Sequence, residues 1–354
     1  MDTWGLLLKR DDHSVSEIAA LPAEALAAGE IRVAVERFGL TTNNATYIRF
    51  GDDVEGAPFW EAFPGPVGYG RPPVWACVRV EESRHPDVRP GSRYFGYAPL
   101  ASHHVLPVET TDRGLRDTAP HREFLHPWYR EYVRLGDAGP GDRHTLLEPV
   151  FPASFNLADL LERRCADGAR AAVITSASSK VAVGLAAELA ARQVPLRTIG
   201  VTSARHLSFV DTLGVFDTVV SYDTLSSAEP AGPTVFIDLT GDDALRRAVC
   251  THLGDMLLQT ALVGFTHPVS AVDPARPLPG PPAEFFFTPA VEAGTIAATH
   301  DYYPRYQAAM ERFIDFTASW LTIRHRQGPG PALAAVRSLL AGDQHPDVSD
   351  VFTP

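Results

Sequence analysis

The chain has 354 residues, of which 45% are hydrophobic and 21% charged, and its formal net charge is −12 with no basic cluster. That balance describes a globular protein and excludes nucleic acid and anionic membranes as expected partners; no stretch approaches the ~18 apolar residues of a membrane helix. The three cysteines, Cys77, Cys165 and Cys250, lie far apart with no C-x-x-C spacing, so they read as reduced thiols of a cytoplasmic protein.

The length suffices for two domains with cores of their own. The acidic start, Met1-Asp2-Thr3-Trp4, carries no positive region followed by an apolar stretch, and no signal peptide is expected. Thirty prolines against three methionines suggest a high-GC bacterial source. Residues 31–38 (IRVAVERF) alternate apolar and polar side chains, the period of a half-buried strand. Directly after it, Thr41-Thr42-Asn43-Asn44 concentrates hydroxyl and amide groups, and Tyr47 follows. Residues 52–73, rich in Gly, Pro and aromatics, suit a covering loop. Residues 74–80 and 94–97 read as further strands around turn chemistry at Pro90-Gly91. Short strands at this spacing make a β-rich first domain. Residues 109–147 read as a charged, aromatic insertion with a short helix at 128–135, suited to a lid or a dimer contact. His121 and His126 lie five apart with no third ligand at helical spacing, so no metal site is expected there.

From residue 151 the pattern becomes α/β. Residues 171–174 (AAVI) are a continuous apolar run, as in a strand buried on both faces. The small-residue turn Thr175-Ser176-Ala177-Ser178-Ser179-Lys180 follows, then an Ala/Leu-rich helix over 181–192. A second strand over 196–201 delivers Thr202-Ser203-Ala204-Arg205. Strand, tight turn, helix and strand form a dinucleotide-binding βαβ layout, in which the helix N-terminus receives the pyrophosphate. No G-x-G-x-x-G is present. Two readings stay open: Ser176, Ser178, Ser179 and Lys180 supply phosphate donors, or the turn has lost its glycines because nothing binds there. A helix over 204–213 and strands at 218–220, 234–239, 256–264 and 284–287 follow, with a helix over 242–253. Together they imply a parallel doubly wound sheet. A proline-dense linker spans 273–282, and helices over 304–323 and 331–341 close the chain.

Several stretches carry a resemblance. Residues 44–51 (NATYIRFG), 88–97 (VRPGSRYFGY), 176–182 (SASSKVA), 202–205 with 209–214 (TSAR, FVDTLG), 236–238 (FID), 263–264 (VG) and 334–342 with 350–352 resemble the medium-chain dehydrogenase/reductase superfamily, in its zinc-free quinone oxidoreductase and enoyl reductase branch. The chain also resembles an uncharacterised domain-of-unknown-function offshoot with the same S-A-S-S-K loop. The resemblance implies a Rossmann-like doubly wound parallel sheet over 151–289 and a β-rich GroES-like domain over 1–150 and 290–354. It departs from the zinc branch: Tyr69-Gly70-Arg71 stands where Gly-His-Glu is usual, so no metal is expected.

The resemblance implies an NADPH-dependent reductase of an activated double bond or quinone, with a small-molecule substrate and a homodimeric assembly through the fifth-strand region and the proline linker. Tyr47 then polarises the acceptor oxygen, and Thr42 with Asn43 or Asn44 orients it, although TTNN equally suits an Asx turn. Ser203 and Arg205 suit a 2′-phosphate, with Thr202 beside them, and no acid lies between Gly200 and His206, which favours NADPH over NADH. His267, in the loop after Val263-Gly264, is a candidate proton donor or a surface histidine. Gly264 closes the fifth strand beside the cofactor. Asp238 either meets the cofactor or caps the next helix, a cap that Asp242 already supplies. Lys180 also admits a Schiff-base reading, against which its place at a helix start speaks. The alternative is a redox-inactive member of the fold, acting as a cofactor-independent lyase or retro-aldol enzyme, or as a non-catalytic partner.

Overall fold

A computed structural model describes residues 3–22, 25–52, 58–137, 139–230, 232–264 and 278–354. The candidate His267 and linker residues 273–277 lie outside them. The chain opens with β1 (Trp4–Lys9), β2 (Ser16–Ala20), β3 (Glu30–Gly39), α1 (Thr42–Arg49), α2 (Phe59–Ala62), β4 (Tyr69–Gly70), β5 (Pro73–Ser83), β6 (Arg93–Pro99), β7 (His103–Thr111), β8 (Gly114–Asp117), β9 (Glu131–Arg134) and α3 (Asp142–Leu147). It continues through α4 (Phe151–Ala166), β10 (Ala171–Thr175), α5 (Lys180–Ala191), β11 (Arg197–Thr202), α6 (Leu207–Leu213), β12 (Thr218–Ser221), β13 (Thr234–Asp238), α7 (Asp243–Leu253), β14 (Leu257–Leu262), β15 (Glu284–Phe285), α8 (Thr288–Ala298) and α9 (Tyr302–Thr317). It ends with β16 (Thr322–Gln327), α10 (Pro329–Ala341) and β17 (Val348–Thr353).

Two compact units result, Met1–Pro149 with Thr322–Pro354, and Val150–Leu321. In the first, strands run in the order β16-β17-β3-β5-β6-β9-β8-β7, and β3 also pairs with β7, so the sheet closes on itself. Closure removes the unpaired edges that an open antiparallel sheet would expose. A smaller sheet, β2-β1-β4, lies in the same unit. Its core gathers Val33, Val35, Val78, Val80, Tyr94 and Leu115, the inward positions of alternating strands, with Ala332 and Val336 of α10.

Here the structure corrects the reading of residues 109–147. The segment is no excursion: β7, β8 and β9 are barrel strands, and residues 128–135 are a short 3₁₀ turn (Pro127–Arg130) running into β9. Gly96 decides this. A side chain there would run into the Tyr132 ring at 2.3 Å, so the glycine leaves the hollow into which Tyr132 of β9 lies. The Tyr132 hydroxyl then donates to the Tyr97 carbonyl, and Arg116 of β8 pairs with Glu131 at 2.9 Å. Thr41 is the N-cap of α1, which begins at Thr42, and Asn44 Oδ1 accepts from the Thr41 amide at 2.9 Å and closes the first turn.

In the second unit the parallel sheet has the order β12-β11-β10-β13-β14-β15. Strand order reverses between β10 and β13, the switch point at which open α/β sheets bind ligands. Alternate residues of β10 feed opposite cores, Ala172 and Ile174 toward α4 and α5, Val173 toward α7. The sixth strand, β15, is only two residues long. Helices α8 and α9 fall in this unit, so the chain returns to the first unit at Thr322 and not at residue 290. Arg305 meets Asp159 at 2.7 Å, Arg312 meets Glu188 at 3.0 Å, and Phe313 stacks on Phe151 at 5.1 Å, all tying α9 to α4 and α5.

Candidate functional site

In the second unit, the turn from β10 to α5 is built from small side chains because strand and helix converge there. Ala177 is fully buried, and its amide donates to the Val201 carbonyl at 3.0 Å. Ser179 caps α5 and accepts from the Ala182 amide at 3.2 Å, which is the reason a serine can stand where a glycine is usual. Lys180 follows as the first helical residue. Ser176 holds φ at +49°, a left-handed conformation that favours glycine. Its amide donates to the Tyr222 hydroxyl at 3.2 Å; burial pushes that phenol above its ordinary range. Ser178 Oγ lies 3.1 Å from His206 Nδ1, which ties the turn to the segment after β11.

At the end of β11, Thr202 is buried and Arg205 exposed. Ser203 Oγ is buried and has no hydrogen-bond partner among the described residues. A buried hydroxyl in that state is costly and calls for an explanation. The turn and strand-end candidates thus cluster by contact or adjacency: Ser176, Ser178, Ser179 and Lys180 in the turn, with Thr202, Ser203 and Arg205 reached through His206.

Asp238 sits apart from such a role. Its carboxylate accepts from the Thr240 amide at 2.9 Å, the Thr240 hydroxyl at 2.7 Å and Thr175 Oγ1 at 3.3 Å, and pairs with buried Arg246 at 2.8 Å. It braces β13 against α7 from within, while Asp242 caps α7 by accepting from the Leu245 amide at 3.0 Å. Gly264 donates to the Asp238 carbonyl at 3.3 Å, and a Cβ there would stand 3.1 Å from the Leu239 carbonyl.

In the first unit, α1 places Asn43 and Tyr47 one turn apart. Asn43 Nδ2 donates to the Tyr47 hydroxyl at 2.9 Å, and the indole Nε1–H of Trp75 on β5 donates to the same oxygen at 3.2 Å. Phe59, Tyr97 and Tyr129 surround the Tyr47 ring at centroid distances of 4.9, 5.4 and 6.2 Å. Burial pushes the Tyr47 phenol up, and the bonds from Trp75 and Asn43 act against it. Asn44 is turned away: it is buried, closes the first turn of α1 and donates to the Pro73 carbonyl at 3.1 Å. Thr42 is exposed. The amide that meets the Tyr47 hydroxyl is therefore Asn43, and its i, i+4 spacing from Tyr47 is the signal that points to it in the sequence. Trp75 and Tyr129 give no such signal, since barrel pairing alone brings them to α1.

Among the described residues no three His, Cys, Asp or Glu side chains are grouped as for a metal ion. His121 faces the Arg122 guanidinium at 3.0 Å, and His126 Nδ1 accepts from the Trp128 amide at 3.3 Å. Among the described residues no helix is long and apolar enough to cross a membrane.

A closed β-rich unit and a 3-2-1-4-5-6 parallel sheet are a fold that solved structures share. CurA from Vibrio vulnificus, in complex with NADPH, is similar with a TM-score of 0.62 at 15% identity over 99% of this chain and 98% of that one. The yhdH oxidoreductase from Salmonella enterica, in complex with NADP, gives 0.54 at 15% identity over 99% of each chain. The Etr1p/NADP/crotonyl-CoA complex gives 0.57 at 11% identity over 100% of each chain. The chain belongs to the family described as "Protein of unknown function (DUF2855)", whose model matches residues 38–345. No curated protein matches it in sequence.

Proposed function

We propose that this protein is a zinc-independent, NADPH-dependent reductase of an activated double bond or a quinone-type small molecule, serving secondary metabolism in the cytoplasm of a bacterium as a homodimer. The observation that carries the reading is the buried, unpartnered Ser203 hydroxyl beside exposed Arg205 at the end of β11. A 2′-phosphate supplies the acceptor that this hydroxyl lacks and the charge that a guanidinium recognises. The capped start of α5, with Lys180 on its first turn, fits a pyrophosphate by its N–H groups and dipole. Structures of similar fold hold NADPH or NADP, and one of them holds crotonyl-CoA, whose double bond is conjugated to a carbonyl.

When bound, NADPH supplies a hydride. Tyr47 supplies the proton, with Asn43 on the same oxygen. One feature favours the redox-inactive alternative: the Ser176 amide is already taken by Tyr222, in the manner of a phosphate oxygen. Turnover decides between them. NADPH absorbance followed with a panel of enones, enoyl thioesters and quinones should fall with at least one acceptor, and Tyr47→Phe should lower kcat by about 10²–10⁴. No consumption with any acceptor, at NADPH concentrations that saturate the protein, contradicts a reductase.

A further inference from the structure

Tyr47 belongs to a group of six rings in the first unit, with Phe59, Trp75, Tyr97, Trp128 and Tyr129. Five of them are buried, and Trp128 alone is partly exposed. It stands beside Trp75, whose indole N–H bonds the Tyr47 hydroxyl, at a centroid distance of 4.6 Å and an angle of 64°. Tyr129 lies on it at 5.2 Å and 85°. Both angles are steep, so neither neighbour stacks parallel to the Trp128 ring. The residue is also held in place. Pro127 fixes the backbone before it, its amide donates to His126 Nδ1 at 3.3 Å, and the turn Pro127–Arg130 runs straight into β9, which is paired on both sides. A rigid aromatic side chain has little entropy left to lose on binding, which is why such rings anchor ligands.

The chemistry of that surface selects what it takes. An indole face is electron-rich, and flat rings stack on it in offset geometry. A ring that carries carbonyls is electron-poor and gains most from such a partner. An open-chain enone or enoyl thioester offers only a short conjugated segment and covers little of the indole. Asn43 and Trp75 both donate to the Tyr47 hydroxyl, so the bond that this oxygen still has to give is its own proton, which a ring carbonyl accepts. We infer that Trp128 is a specificity residue, a stacking platform that receives the flat ring of a cyclic conjugated acceptor, a quinone or a ring enone, and selects it over open-chain acceptors. The inference rests on the reductase reading and narrows its substrate class. It also gives the turn Pro127–Arg130 a function, the presentation of that platform.

The test uses the full-length protein with NADP+ present, so that no hydride is available. The probe is 2,3-dimethyl-1,4-naphthoquinone, whose blocked ring carbons spare the cysteines. Labelling with 5-fluorotryptophan gives each of the five tryptophans its own fluorine signal, and the signal that Trp128→Phe removes should move upfield as the quinone is added. By calorimetry, Trp128→Leu should weaken quinone binding about tenfold, and Trp128→Phe should keep most of it. Phe124→Leu, which removes an exposed ring of the same segment, should bind as the parent does. If Trp128→Leu does not fold, the fluorine signal of the parent carries the test. An unmoved Trp128 signal, or equal affinities in the parent and folded Trp128→Leu, overturns the platform. Turnover with NADPH keeps the two ideas apart. Trp128→Leu should lower kcat/KM for the naphthoquinone relative to that for 3-penten-2-one by about tenfold. Consumption of NADPH with both acceptors at an unmoved ratio overturns the platform and leaves the reductase. Quinone binding that Trp128→Leu abolishes, with no NADPH consumed by any acceptor, overturns the reductase and leaves a site for flat rings.

Discussion

Asp238 and Arg246 are both buried and pair at 2.8 Å, and Arg246 also lies 3.6 Å from Asp243. Asp238→Ala therefore strands a buried guanidinium, and urea unfolding should show a loss of about 3–5 kcal/mol; a loss below about 1 kcal/mol contradicts the bracing role. His104 offers a pH test. Burial, then the nearby Arg122 and Arg71, hold its imidazole well below the ordinary value of 6.5. The folded chain thus refuses a proton that the unfolded chain accepts. Its contribution to stability is complete above about pH 6.5 and fades as pH falls toward the folded value, by up to about 1.4 kcal/mol per pH unit. Below pH 6.5, the stability of His104→Phe should depend on pH less steeply than that of the parent by about one proton; parallel curves contradict this. At this scale the sequence shows residue types but not partners. An acid closing an apolar strand looks like a ligand until Arg246 arrives from α7. Asn43 and Asn44 are indistinguishable until the helix turns one toward Tyr47 and the other toward Pro73.

Trp60 on α2 lies between two glycines. A Cβ on Gly51 would stand 2.0 Å from its indole nitrogen, and one on Gly70 2.2 Å from its ring. The indole is rigid and fully buried, so neither clash is relieved by rotation. Gly70→Ala should cost about 3 kcal/mol, at the upper end for overpacking, read as a fall in the urea midpoint at unchanged slope; a neutral Gly70→Ala shows that α2 yields. Gly70 of Tyr69-Gly70-Arg71 is thus a packing glycine. Elements differed in how plainly the sequence declared them. Strands β10, β11 and β13 are buried on both faces and read as apolar runs. Strand β9 (Glu131–Arg134) has only four residues, Glu-Tyr-Val-Arg, after a proline-led turn, too few to separate from a helix by pattern. Only Gly96, far away in sequence, makes room for its Tyr132.

At the scale of the molecule, the second unit owes α9 to charges that no local pattern reveals. Asp159 of α4 and Glu188 of α5 are buried and need the cations of Arg192, Arg305 and Arg312, two of them on α9. The resemblance implied a boundary at residue 290; the compact unit that these ion pairs hold together runs to Leu321. Residues 150–321 expressed alone should melt cooperatively, and residues 151–289 should not, as followed by circular dichroism. Cooperative melting of the shorter piece contradicts the assignment of α8 and α9. Fold class was legible because a doubly wound sheet repeats its signal six times; the site was legible only where one segment holds it, as in the turn 175–180.

The most direct test of the central claim is calorimetric titration of the intact protein with NADPH and NADH, beside Lys180→Ala and Arg205→Ala. The account predicts that NADPH binds, that NADH binds at least tenfold more weakly, that Arg205→Ala removes this preference, about 1.4 kcal/mol per factor of ten, and that Lys180→Ala weakens both. Absence of heat and of thermal stabilisation with either nucleotide at millimolar concentration contradicts the account, and equal affinities contradict the 2′-phosphate site at Ser203 and Arg205.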